Sequence, residues 1–180
     1  MKTPAEARSA DPARLFLALW PDAAALAAIA AWQAACAWPA GACLAPRGHL
    51  HVTLHFLGAV TRARIAELET ALAGPVEPFE LVLGQAVLWH GGIAVLEPEA
   101  TPVGLAALHA RLGAALGGLE LPVEARAYRP HVTLARHAGG VALAAPPIGR
   151  PAWTARGFAL VESIGGRYET LGAWPQAGAR

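Results

Sequence analysis

Thiols are scarce in this chain: Cys36 and Cys43 are the only two among 180 residues. They are too few for a disulfide framework and wrongly spaced for a redox Cys-x-x-Cys pair, so both read as reduced and partly buried. Charge is thin as well. With 15% charged residues against 55% hydrophobic, the chain is no disordered, solvating polymer and has to fold. Its length suits one compact domain or two small lobes sharing a core. A formal net charge of +1 argues against a long electrostatic track along nucleic acid, where several phosphates are neutralised together. Any RNA partner is therefore expected to be met at one end. Lysine is nearly missing: of the 14 basic residues all but Lys2 are arginine, the side chain that forks onto phosphate. In an Ala-, Gly- and Pro-rich chain most of these arginines reflect compositional bias. No apolar run approaches membrane-spanning length without a Pro, Asp or Gln. The apolar stretch 15–20 is too short and too late for a signal peptide, so a cytoplasmic protein is expected.

Against this background one tetrapeptide occurs twice, at His51-Val52-Thr53-Leu54 and at His131-Val132-Thr133-Leu134. In an extended strand, residues two apart share a face, so each copy presents a His and a Thr together while Val and Leu enter a core. Strands reuse β-branched residues freely, but histidine is rarer and harder to bury. A bland alternative is that both are strand histidines satisfied by backbone carbonyls. The duplication instead reads as two matching half-sites. Imidazoles titrate near neutrality and can serve as both general base and general acid, with the hydroxyls donating to phosphate oxygens.

The remaining pattern supplies a frame. Residues 14–20 read as a first strand, stopped by Pro21-Asp22, with Asp22 capping an Ala-rich helix over 23–37. A first His strand spans 50–57, and Thr61 is expected to cap a second helix over 62–73 with Ile65, Leu68 and Leu72 at helical spacing. Residues 79–83 and 86–89 read as short strands or one bent strand, the latter pairing with 93–96 across His90-Gly91-Gly92. A third helix over 102–116 carries Val103, Leu105, Leu108, Leu112 and Leu116. The second His strand spans 128–136, and strands 158–163 and 167–171 are joined by Gly165-Gly166. The order suggests two strand-helix-strand units with added hairpins, hence an α+β protein with largely antiparallel sheets.

With these landmarks the chain resembles the 2H phosphoesterase superfamily, specifically the bacterial and archaeal RNA 2′,3′-cyclic phosphodiesterases long labelled 2′-5′ RNA ligases. The resemblance is carried by Arg14-Leu15-Phe16-Leu17-Ala18-Leu19, Leu50-His51-Val52-Thr53-Leu54-His55-Phe56-Leu57-Gly58 and Arg129-Pro130-His131-Val132-Thr133-Leu134-Ala135-Arg136. Weaker matches are Leu160-Val161-Glu162-Ser163, Arg167-Tyr168-Glu169-Thr170-Leu171 and Trp174-Pro175. It implies a bilobal fold, two pseudo-twofold-related, mostly antiparallel sheets facing a central cleft with helices outside, over residues 14–175. A flexible segment 1–13 and a tail 176–180 flank it. It implies hydrolysis of terminal 2′,3′-cyclic phosphate to a 2′-phosphate, with reversible 2′-5′ ligation as the same chemistry run with a ribose hydroxyl, by a monomer that needs no cofactor or metal. His51 and His131 are the catalytic pair, Thr53 and Thr133 hold phosphate, and Arg136 and Phe16 bind substrate, Phe16 by stacking on the terminal base. Partners are RNA ends or nucleotides bearing the cyclic phosphate.

Strict alternation places Arg136 opposite His131 and Thr133, so a twist, a bulge or the strand's end has to return it to the cleft. The same parity puts His55 on the face of His51, lining the cleft or reaching solvent. Gly48-His49 and His55 depart from the family's usual residues, which bears on substrate preference. His90, His109 and His137 read as surface or capping residues. Two rivals remain. A helical 50–57 segment would align His51 and His55 for a metal, although Val52 sits where the metalloprotease pattern needs Glu. A noncatalytic nucleotide-binding module would keep the fold without turnover. The pair alone leaves open which imidazole is the base, with His51 the preferred choice.

Overall fold

A computed structural model describes residues 12–147 and 149–175; the proposed terminal segments lie almost wholly outside them. The first strand, β1 (Ala13–Leu19), is followed by α1 (Ala23–Ala35), β2 (Cys43–Leu44) and β3 (Val52–Val60). Next come α2 (Ile65–Leu72), β4 (Phe79–Val82), β5 (Gln85–Trp89), β6 (Ile93–Glu97), α3 (Val103–Gly118) and β7 (Val132–Arg136). The chain closes with β8 (Ala152–Ala155), β9 (Gly157–Ile164) and β10 (Arg167–Pro175). Among the described residues every ladder between these strands is antiparallel.

The expected duplication is visible in the topology. β1 and β3, joined through α1, lie side by side, and so do β6 and β7, joined through α3. One half runs β10-β9-β1-β3; the other places β7 between β6 and β2, with β5 beyond β6. The halves are not two detached sheets. They touch where Val52 of β3 faces Val132 of β7, the single pair of that ladder. β4 and β8 form a separate two-stranded sheet, so the 79–89 stretch is two strands in different sheets. β2 and β8 are too short for alternation to reveal.

β1 shows how one strand serves two layers. Leu15, Leu17 and Leu19 point to the main core beneath the helices, whereas Phe16 and Ala18 join Ala159 and Val161 of β9 in a small cluster on the other face. The helices follow the same logic. Asp22 caps α1, its Oδ1 accepting from the Ala25 N–H at 2.8 Å, and Ala25, Ile29 and Trp32 form the buried stripe. α3 buries Leu105, Leu108, Leu112 and Leu116, while Val103 is left 86% exposed. Thr61 makes no side-chain cap; a 3-10 turn over Arg62–Arg64 precedes α2 instead. That turn is anchored by Arg62, whose guanidinium forks onto the buried Glu162 carboxylate of β9. Gly165 and Gly166, both at positive φ, make the two-residue turn between β9 and β10.

Candidate active site

The single Val52–Val132 pair brings the two motifs together. His51, Thr53, His131 and Thr133 all line one cleft of about 550 Å³, with Arg14, Phe16, Phe56, Arg136 and Tyr168 around them. Both histidines sit just ahead of their strands, since β3 begins at Val52 and β7 at Val132. Each ring uses the same tether: His51 Nδ1 donates to the His49 carbonyl and His131 Nδ1 to the Arg129 carbonyl, both at 2.7 Å. A carbonyl only accepts, so Nδ1 carries the proton and, in the neutral ring, Nε2 is the bare nitrogen. His51 Nε2 lies 3.1 Å from Thr53 Oγ1, which donates to it.

Burial lowers the pKa of both rings, and the two halves differ. His51 is brought down to about 4, chiefly by desolvation, with the hydrogen bond to His49 opposing and the charges of His49 and His131 adding to the depression. Its ring is packed by Phe16 and Trp20, centroids 5.1 Å away in each case, and by the edge of Tyr168 at 5.5 Å. His131 is also lowered by burial, but the Arg129 carbonyl and the Glu97 carboxylate pull back towards the charged form, against Arg129 and Arg136.

Two bulges complete the cleft. In β7, Thr133 faces Val95 and Ala135 faces Ala94, so Leu134 is an extra residue. Leu134 and Ala135 both turn inward, and Arg136 emerges in the cleft beside Thr133. The Leu134 carbonyl accepts from the Ala45 N–H at 2.8 Å and from Gln33 Nε2 at 2.7 Å, so α1 and the chain beside β2 hold the bulge in place. β3 repeats the device: Ala18 faces Thr53 and Leu17 faces His55, which leaves Leu54 extra. Phe56 is thereby the positional counterpart of Arg136. It is 51% exposed in the cleft, with Arg14 Cζ 4.8 Å from its ring centre.

The β3 bulge also corrects the parity reading of His55, which is 4% exposed on the core side. Its Nε2 donates to the His109 carbonyl at 2.9 Å, and its ring stacks on His109, which in turn stacks on Tyr128. His109, half-buried on α3, is thus the middle of a three-ring stack, and burial, with the charge of His55 adding, brings its pKa down to about 4. The Tyr128 hydroxyl donates to the Thr53 carbonyl at 3.1 Å, tying the lead-in of one motif to the strand of the other. Since His51 and His55 lie on opposite faces of an extended segment, they cannot chelate a metal together. Phe16 lines the cleft but is only 4% exposed, its ring occupied by His51 and Tyr168. Alternation within the two motif strands does not reveal Phe56, Arg14 and Tyr168 as lining residues, because the β3 bulge, the neighbouring β1 and the β9–β10 hairpin bring them to the cleft. His49, where the chain departs from the family's usual residue, stacks on Tyr168 at 4.0 Å.

A family model described as the 2′-5′ RNA ligase superfamily matches residues 20–148. The chain is similar to E. coli LigT, solved complexed with 3′-AMP, at 26% identity over 93% of this chain and 99% of that one, with a TM-score of 0.85. LigT complexed with ATP aligns over the same shares at 27% identity and a TM-score of 0.80. A structure described as a phosphoesterase gives 26% identity over 93% and 99% of the two chains, with a TM-score of 0.82. No curated protein sequence matches the chain.

Proposed function

The chain belongs to the 2′-5′ RNA ligase superfamily, and from that premise we propose that it hydrolyses terminal 2′,3′-cyclic phosphates to 2′-phosphates by two-histidine acid-base catalysis. The observation that carries this reading is the lining of one cleft by His51, Thr53, His131 and Thr133. Bare Nε2 of His51 takes a proton from water as the water oxygen attacks phosphorus. The P–O3′ bond breaks, and Nε2–H of protonated His131 delivers its proton to the departing ribose oxygen. Each positioned transfer is worth roughly 10²–10⁴-fold. Thr53 and Thr133 donate to the nonbridging oxygens, where negative charge builds. In the free cleft the Thr53 hydroxyl is engaged with His51, so phosphate takes that hydrogen bond over and frees Nε2 for water. The depressed pKa of His51 keeps it unprotonated at neutral pH, as a base must be.

Arg136 contributes a fixed positive charge at the phosphate, and Phe56 offers the open ring face that the buried Phe16 lacks, so base stacking belongs to Phe56 in this reading. Phe16 instead braces His51. That E. coli LigT has been solved with 3′-AMP and with ATP supports a nucleotide-sized occupant. RNA ends and small cyclic nucleotides both present the reacting ring. The single domain acts as a monomer, and the ligase direction substitutes a 2′-hydroxyl for water.

The test incubates chelator-treated protein with 2′,3′-cyclic phosphates of increasing length and identifies the product isomer. A 2′-phosphate product, abolished by His51→Ala or His131→Ala with nucleotide affinity retained, is the expected result. Nucleotide binding without turnover in the unmodified protein overturns it in favour of a binding module, and activity lost on chelation overturns the two-histidine mechanism.

A further inference from the structure

The two half-sites are matched in backbone but not in charge, and the difference lies behind His131. Its ring packs on Trp89 with centroids 4.3 Å apart, and its Nδ1 is held by the Arg129 carbonyl. Both supports converge on one carboxylate oxygen: Glu97 Oε1 accepts from Trp89 Nε1 at 3.0 Å and from an Arg129 terminal nitrogen at 2.8 Å. Arg129 Cζ also lies 4.6 Å from the Trp89 ring centre, closing the cluster. Glu97 ends β6 and its side chain is only 14% exposed, so its field reaches His131 with less solvent screening than a surface charge would have.

Among the described residues nothing comparable stands behind His51, which is walled by Phe16, Trp20 and Tyr168 and whose electrostatic neighbours, His49 and His131, both oppose a positive ring. The charged groups acting on His131 are Glu97, Arg129 and Arg136, with His51 across the cleft. Glu97 is the only negative one of these, and it offsets two guanidinium groups.

We propose that Glu97 is a positioning residue that breaks the symmetry of the paired motifs: it holds Trp89 and Arg129 against His131 and makes that ring the proton donor, leaving His51 as the base. This rests on the two-histidine reading above and adds the residue that fixes its roles. Without the carboxylate, Arg129 and Arg136 stand unopposed and the protonated ring becomes rarer. With it, the donor form persists to higher pH.

The experiment follows the ring protons of His51 and His131 by NMR through a pH titration, in the unmodified protein and in Glu97→Gln, alongside the pH profile of kcat/KM. The expected result is a lower midpoint for His131 only, with the alkaline limb of kcat/KM moving acidward by the same amount. Above that limb, activity falls roughly threefold to tenfold, which corresponds to a half to one pH unit. Arg129→Gln is expected to move the same midpoint upward. An unchanged His131 midpoint in folded Glu97→Gln, or equal displacement of both histidines, overturns the proposal. If Glu97→Gln does not fold, Arg129→Gln decides alone, and an unmoved midpoint there overturns it. Absence of turnover in the unmodified protein sinks the phosphodiesterase reading instead, and the ring titration still reports whether Glu97 acts on His131.

Discussion

Replacing His51 by Gln removes one titration from the cleft while keeping a polar side chain of similar reach. In the folded protein this imidazole has its pKa lowered from 6.5 to about 4, mainly by burial. Because the folded value lies below the unfolded one, the unfolded chain takes up the proton first as pH falls. The stability contributed by the neutral ring is therefore complete above about 6.5 and is lost progressively down to about 4. A displacement of that size corresponds to roughly 3 kcal/mol at most, reduced to the extent that solvent reaches the ring. Urea unfolding followed at several pH values between neutrality and 4 measures it directly. The unmodified protein should lose stability across this window, and His51→Gln should lose clearly less. His55, His109 and His131 are lowered too and leave a residual slope in the variant. Parallel loss in the two proteins would refute the argument, since His51 would then not be held neutral by its surroundings. The same titration should form the acid limb of kcat/KM.

Other consequences are equally direct. Gln33→Met removes the amide that holds the Leu134 carbonyl at the β7 bulge; stability should fall by about 1 kcal/mol, and KM for a cyclic phosphate should rise, as it should in Arg136→Ala, with the fold intact by circular dichroism. Glu162→Gln removes the carboxylate that the Arg62 guanidinium forks onto in a largely buried pair; thermal unfolding should show a loss of about 2 kcal/mol, while the pH profile of turnover stays unchanged. Phe56→Ala should weaken binding by roughly 1–3 kcal/mol through lost stacking, detected as a raised KM with kcat little altered. An unchanged KM would return the base to another wall of the cleft.

Much of this protein was legible in its residues because the signals are local. Asp22 before an Ala-rich run marks a cap, glycine pairs mark the β5–β6 and β9–β10 turns, and the repeated His-Val-Thr-Leu announces a duplicated half-site, all within a few residues of chain. Where alternation failed, the cause was pairing. His55 and Arg136 obey period-two parity in an isolated strand, yet the extra Leu54 ahead of His55 in β3 and the extra Leu134 ahead of Arg136 in β7 reverse the faces that follow.

What the amino-acid sequence determined by itself is the chemistry on offer: two imidazoles, two hydroxyls, an antiparallel α+β frame and its order. Only the tertiary structure decided how these are aimed. The Leu134 carbonyl meets Gln33 across 101 residues, and Glu97 reaches Arg129 across 32. Such contacts bend strands and tilt charge without leaving any periodic trace in the chain, because a bulge or an ion pair belongs to two segments at once and to neither alone.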